Sequence, residues 1–551
     1  MITQAPADIA LIGGTILTVN PADDVAECVA VRGNPIVAVG NRQDVDPWIG
    51  PATRVIDLQR RSAVPGFVEN HIHMTNSYRR TWLDLSPDSV SSVADMRDMV
   101  AERAGNTEPG QWIWAHGYHP ERLREGRHPW RHDLDPASPN NPVGIVHREG
   151  MGWTFNTVGL RAIGVNDDTP DPPGGPMHRD DRGAPLGPMF DNTRAVFVRP
   201  NLPRPTDESI LEDYLWMCGR MAANGITSAC EAAIRSAQET QAWWRLREAG
   251  ELTLRVNLGP YPLEGSDLNP EGAGTRMLQA GLCTGFGDEW VRLGSLTYGV
   301  DGGVFGQTAA LFQPYSNDPG GNYRGSYRVT PEVAASFCSA AHRGNWQISS
   351  VCHGDEGVTR AVDAIETAQK ELPDRQLRHR LEHAYLWNDA LPERIAGLGI
   401  VWNTQASLIA GLGRWGTLEP WGERCRYAFP IKTALDHGII VSGGSDWPVS
   451  NMNPMVSIHF LVTRVLEPLS DGVALAPDEA ISVKEAVRIH TYNGAYTTFE
   501  EDIKGSLEVG KLADLTVLSE DILAVAPERL REVHTDMTIV DGRVVYERPA
   551  L

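Results

Sequence analysis

One feature limits the fold of this chain more than any other: short apolar runs alternate with helical periodicity from residue 63 to residue 499. Eight runs read as buried strands, at 63–73, 226–231, 252–259, 291–301, 347–353, 378–383, 399–405 and 438–446. Apolar residues at helical spacing occupy 208–223, 235–249, 331–343, 357–371, 454–467 and 482–499. Eight such strands alternating with helical stretches predict an α/β fold of the closed (β/α)8 type, a TIM barrel, over 63–502. An open doubly wound sheet is the competing architecture. The lack of a glycine-rich phosphate loop after the first strand counts against it.

Both ends of the chain have another texture. Residues 8–62 and the stretches "GSLEVGKLADLTVLSED" and "DMTIVDGRVVYER" alternate apolar and polar residues between glycine turns. They predict one small β-domain from 1–62 plus 503–551, with two separate β-appendages as the alternative. Between 77 and 205 the strand–helix rhythm breaks. That stretch is too long for a plain loop and holds Trp82, Trp112, Trp114, Trp130 and Trp153, too aromatic for a disordered linker. It reads as an insertion after the first barrel strand, where it would cover the active face.

The formal net charge of −22 leaves no basic stripe for nucleic acid or an anionic membrane. The N-terminus lacks a signal-peptide pattern, and no window has the roughly 18 apolar residues of a membrane span. Seven dispersed cysteines without a CxxC pair read as reduced thiols of a cytoplasmic protein. The expected partner is a small molecule, and a homodimer is left open.

Potential ligands stand at the ends of the predicted strands. "AVPGFVENHIHM" places His71 and His73 at alternate positions, so both point to one side. His353 ends the fifth strand, His383 the sixth and Asp446 the eighth. In a barrel these ends converge on the catalytic face. Four imidazoles and a carboxylate make a nitrogen-and-oxygen set suited to a divalent ion, zinc first, with iron or manganese as alternatives. The histidines of the insertion, among them His119, His128 and His147, read mainly as surface residues.

The motifs "PGFVENHIHM", "DGGVFGQTA", "HGDEG", "RLEHA", "GGSDWPVSNMNP" and "GSLEVGKLADLTVL" occur in that order over nearly the whole chain. With them the chain resembles the amidohydrolase superfamily, and most closely its YtcJ-like family 3 branch, which includes N-substituted formamide deformylases. The resemblance implies a (β/α)8 barrel, a β-sandwich from both termini, and metal-dependent hydrolysis of C–N bonds. It makes His71, His73, His353, His383 and Asp446 the metal set, with Asp446 also the base that takes a proton from metal-bound water. With a single ion, His383 either ligates or hydrogen-bonds the attacking water, and as a mechanistic expectation it helps stabilise the developing oxyanion.

Two positions depart from the family pattern. Where many members carry a carboxylated lysine bridging two ions, this chain has Thr297, and no lysine precedes Lys370. No carboxylated lysine is therefore expected, which favours a single ion, since two cations need a bridging anion. Cys230 or Glu231 is the rival bridge. Met151 stands where the branch often has a histidine, and a thioether neither donates a hydrogen bond nor carries a proton. His147 or Arg148 is the candidate replacement.

The aromatic insertion suits an aromatic or apolar substrate group. Trp114, Arg148, Met151, Trp153, Asp301 and Trp447 are candidate substrate contacts, and Arg79, Arg148 and Arg324 candidate carboxylate clamps. A lyase or decarboxylase using the same ion is the alternative chemistry. A non-catalytic binding relative is a third reading, opposed by the full ligand set.

Overall fold

Strands buried on both faces read as continuous apolar runs, and here such runs form two parallel sheets. The computed structural model describes residues 5–549 apart from 88, 149, 151, 173–174, 191–192, 262–279 and 469–470. The chain divides into two compact units, Met1–Thr75 with Ile210–Leu551, and Asn76–Ser209. It is a mixed α/β protein. Among the described residues no helix is long and apolar enough to cross a membrane.

In the larger unit one parallel sheet has the order Val291–Leu293, Arg255–Pro260, Ile226–Ile234, Phe67–Ile72. The other has the order Leu296–Gly299, Ile348–Cys352, Arg380–His383, Val401–Thr404, Val441–Gly443. The strand expected over 291–301 is thus two strands. The Gly294 N–H donates to the Leu258 carbonyl at 2.7 Å, and the Leu296 N–H to the Gln347 carbonyl at 2.9 Å. The backbone changes ladder partner at that point, so one pattern serves two sheets.

Helices follow the strands closely. Ala237–Ala249 starts in a reciprocal cap between Ser236 and Glu239, and Thr330 caps Pro331–Arg343. The helix expected over 482–499 is broken into Val483–Ile489 and Tyr492–Thr497. Ala406–Gly416, which contains three glycines, was missing from the sequence reading because glycine weakens the helical signal.

The two chain ends meet in a six-stranded sheet of order Arg543–Glu547, Thr535–Val540, Leu515–Leu518, Ser62–Pro65, Thr15–Leu17, Val25–Ala26. A four-stranded sheet of Ile36–Gly40, Cys28–Val31, Ile9–Ile12 and Arg54–Asp57 shares one apolar cluster with it, including Leu11, Val29, Leu515 and Ile539. Arg255, buried in its parallel strand, pairs with Asp514 at 2.7 Å and 3.1 Å and with Asp541 at 3.0 Å. This fastens the parallel sheet to the C-terminal segment.

The Asn76–Ser209 unit has its own four-stranded sheet, Trp153–Phe155, Val143–His147, Ile113–Tyr118, Leu83–Asp84. His119 and His147 are buried in it, contrary to the surface placement read from sequence. The His147 ring lies 5.8 Å from those of both His119 and His128, and the Tyr118 hydroxyl is 2.9 Å from His128 Nδ1. Burial, with His178 and His119 nearby, pushes His128 down to about 4, and burial, with His119 and His128 nearby, pushes His147 well below its ordinary value.

Two outcomes are expected. Asp514→Ala leaves Arg255 buried with one partner fewer and should cost about 3 kcal/mol, read as a lower midpoint in urea unfolding. In the smaller unit, an unfolded His128 takes its proton near 6.5, whereas the folded one does so only near 4. The unfolded state therefore binds more protons in that window. Stability is full above about 6.5 and falls as the pH drops towards 4, on the order of 2 kcal/mol for this side chain. Hydrogen exchange across 76–209, corrected for intrinsic rates, should show more opening at pH 5 than at pH 7.5.

Candidate metal centre

His71 lies in the Phe67–Ile72 strand and His73 just past its end, while Asp446 follows Val441–Gly443. The Asp446 N–H donates to the His71 carbonyl at 2.7 Å, and the His73 N–H to the Trp447 carbonyl at 2.9 Å. Two backbone rungs therefore lock these ends side by side. The side chains follow: Asp446 Oδ1 lies 3.1 Å from His73 Nε2 and 3.5 Å from His71 Nε2. One donor atom from each of His71, His73 and Asp446 falls within 4.8 Å of the others.

His383 closes its strand with its ring 5.0 Å from His71, and His353 stacks on His383 at 4.6 Å. The structure thus gathers all five residues expected to bind metal. Donor atoms of three converge within that limit, and the other two imidazoles pack beside them. His383 and Asp446 both have left-handed backbone, φ 67° and 58°. A non-glycine residue is held in that region only where its surroundings impose it, and such positions gather at functional sites.

Each imidazole meets a group behind it. His71 Nδ1 is 2.8 Å from Glu382 Oε2, His383 Nδ1 is 2.9 Å from the Tyr385 hydroxyl, and His353 Nδ1 is 3.3 Å from Asp301 Oδ1. His73 Nδ1 faces Glu231 Oε1 at 3.9 Å. A partner on Nδ1 fixes the ring and leaves Nε2 for a cation. Asp446 Oδ1 is buried without a hydrogen-bond partner among the described residues. An oxygen acceptor left open between two Nε2 atoms fits a divalent ion.

Charge organises the layer beneath. Glu382 is fully buried, which raises its pKa, but Arg380 and His71 overcome this and hold it down to about 2. Arg380 Nε lies 2.8 Å from Glu382 Oε1, Ser349 donates to that oxygen at 2.6 Å, and Asn403 donates to Oε2 at 2.6 Å. Burial lowers His71, yet Glu382 leaves it above its ordinary value. Burial and the surrounding imidazoles push His383 well below its own, so it stays neutral.

Asp301, expected to touch substrate, is wholly buried behind His353. It accepts the backbone N–H groups of His353, Gly354 and Ala310 at 3.0, 3.1 and 2.8 Å. It also packs on Gly357, where a Cβ would come 2.3 Å from its Oδ2. Of the candidate bridges, Cys230 donates to Asn70 Oδ1 at 3.3 Å, and burial pushes its thiol up to about 11. Glu231 accepts from the backbone of Thr75 and Ala233, and burial raises it to about 7. Thr297 lines a cavity of about 10 Å³ with His71, Cys230 and Arg380. Trp447 is half-buried next to Asp446.

Trp114 and Trp153 belong to the smaller unit, where Trp114 stacks on Trp112 at 4.3 Å and Trp153 meets it edge-on at 5.7 Å. These rings pack on one another. Arg148 directly follows the Val143–His147 strand, and Met151 lies outside the described residues. The sequence reading missed Glu382, Arg380, Tyr385 and Ser349. Two opposite charges inside a four-residue buried strand, "RLEH", were the available signal.

The family model described as "Amidohydrolase family" matches residues 54–546. The Bacillus subtilis protein YtcJ is 27% identical over 540 residues, covering 97% of this chain and 99% of that protein. An N-substituted formamide deformylase of Arthrobacter pascens is 27% identical, covering 98% of each. Among solved structures, an uncharacterized metal-dependent hydrolase of Pyrococcus horikoshii superposes with a TM-score of 0.74 at 21% identity, over 94% of this chain and 99% of that one.

Glu382→Gln keeps the shape but weakens the grip on His71 Nδ1. Divalent-ion affinity, measured by competition with a chelator, should fall roughly 10- to 100-fold.

Proposed function

We propose, on the premise that this chain belongs to the amidohydrolase family, that it is a metal-dependent hydrolase of the C–N bond in a small amide or formamide carrying an aromatic or apolar group. The observation that carries this reading is the convergence of His71, His73 and Asp446 within 4.8 Å, with a carboxylate on the far nitrogen of His71. The formamide deformylase among the relatives supports the bond type.

The fold is read in the same terms. The two parallel sheets are two arcs of one (β/α)8 barrel, joined where Asp446 meets His71 and where the backbone changes partner at Gly294. The terminal sheets form a β-sandwich around their shared cluster. The partner is a small molecule and neither nucleic acid nor membrane, the protein works in the cytoplasm, and a homodimer is compatible with this.

His71, His73 and Asp446 would hold one divalent ion, zinc first, with His353 and His383 completing or flanking the set. Such an ion, when bound, supplies Lewis-acid polarisation of a carbonyl and acidifies water. The chain's own groups handle protons and geometry. Asp446 accepts the proton of the attacking water at a carboxylate oxygen and returns it to the departing nitrogen. His383, fixed through Tyr385, presents Nε2 towards the oxygen of the scissile group. Glu382 and Asp301 keep His71 and His353 in orientation.

Purified protein should carry one divalent ion per chain, and chelation should abolish hydrolysis of N-formyl and N-acyl arylamines until metal is restored. His71→Ala should lose the ion and on the order of 10³-fold in turnover, with circular dichroism unchanged. Hydrolysis in ¹⁸O-water places label in the acid product. Full turnover by His71→Ala, or cleavage without label, contradicts the reading.

A further inference from the structure

Arg328 is held in place from both sides. Residues 326–328 run antiparallel to 300–302: the Arg328 N–H donates to the Val300 carbonyl at 3.0 Å and the Gly302 N–H to the Ser326 carbonyl at 3.0 Å. Two residues later Thr330 caps the Pro331–Arg343 helix. The side chain lies across Gly299. A Cβ built there would sit 2.9 Å from Arg328 Cδ, 3.2 Å from Nη1 and 3.6 Å from Nε. Gly299 is not in the left-handed region, so its backbone would accept another residue, and the arginine is what needs the space.

That space is on the inner face. Thr297 and His71 line one cavity, and residue 299, two positions on, shares the side of the strand that Thr297 faces. In the neighbouring strand Ser349 stands opposite Thr297 and Val351 opposite Gly299, and His353 follows two residues later. The sequence had offered Arg324 as a clamp, but Arg324 is exposed.

The guanidinium has no hydrogen bond or ion pair among the described residues, although it is half-buried. Other arginines set into these strands are neutralised, Arg255 by Asp514 and Arg380 by Glu382. Asp301, bridged to the residue before Arg328, is already taken up by three backbone N–H groups and His353. A permanent cation in this setting calls for an anion from outside the chain. The planar guanidinium fork matches a carboxylate through two parallel hydrogen bonds.

We propose that Arg328 is a substrate-binding residue that takes the carboxylate of an anionic amide, with Gly299 the gap that admits it to the site. The natural substrate class is then an aromatic or apolar amide bearing a carboxylate away from the scissile bond. This rests on the hydrolase reading above. A site built around a charged partner disfavours the uncharged analogue, because the half-buried guanidinium then loses its two charge-assisted hydrogen bonds.

The test compares 4-formamidobenzoate with its neutral analogue 4-formamidobenzamide on the metal-loaded protein. The wild type should favour the benzoate in kcat/KM. Arg328→Ala should reduce the ratio between the two substrates roughly 10- to 100-fold, Arg328→Lys should recover part of it, and Gly299→Ala should shift it the same way as Arg328→Ala while retaining the charge. No wild-type preference, or an equal loss on both substrates, overturns the inference. If neither amide is cleaved, the hydrolase reading fails separately, and calorimetric titration with benzoate decides: a Kd at least about tenfold weaker in Arg328→Ala upholds the carboxylate site, and an unchanged Kd refutes it.

Discussion

The rest of the site depends on a carboxylate kept charged in full burial. Glu382 is fully buried, yet Arg380, His71, Ser349 and Asn403 surround it with positive charge and donors. An unpaired charge at such depth would be ruinous, and partial pairing would still be costly. Ser349 and Asn403 come from the strands on either side of Glu382, Arg380 from its own strand and His71 from the other parallel sheet, so one ionic cluster ties four strands together. The imidazole above inherits its orientation from that cluster. The ring that would face a cation is therefore set from beneath, by a network of buried charges and donors.

Much of this was legible in the sequence because two periodicities coincide. Apolar runs marked the strands, and the candidate histidines and Asp446 stood at the ends of those runs, where parallel strands deliver side chains to one edge. The residues behind the ligands were hidden. Glu382 and Arg380 look like ordinary surface charges until pairing shows that both face inward on a fully buried strand. Asp301 was legible as important, but its role was misjudged: four donors engage it, none of them a substrate. The division at Gly294 could not be seen either, since a strand that changes partner keeps the same hydrophobic pattern.

The insertion shows the opposite case. Its tryptophans suggested a binding surface, yet in their own unit they mostly stack on one another, with Trp153 buried. Aromatic residues satisfy each other as readily as they satisfy a ligand. Arg328 had no pattern to announce it. Its significance comes from a missing Cβ on the adjacent strand and a guanidinium without a side-chain partner among the described residues, and both are visible only in three dimensions.

Sharing one sheet between the two ends has a consequence for biosynthesis. Ser62–Pro65 lies between Thr15–Leu17 and Leu515–Leu518. A ribosome makes the first two of these strands long before the third exists. Until then an apolar strand carries an unsatisfied row of backbone donors and acceptors, the kind of margin that recruits stray polypeptide. Final consolidation thus waits for the last segment to emerge, and any shielding of the nascent protein is most needed at that unfinished border.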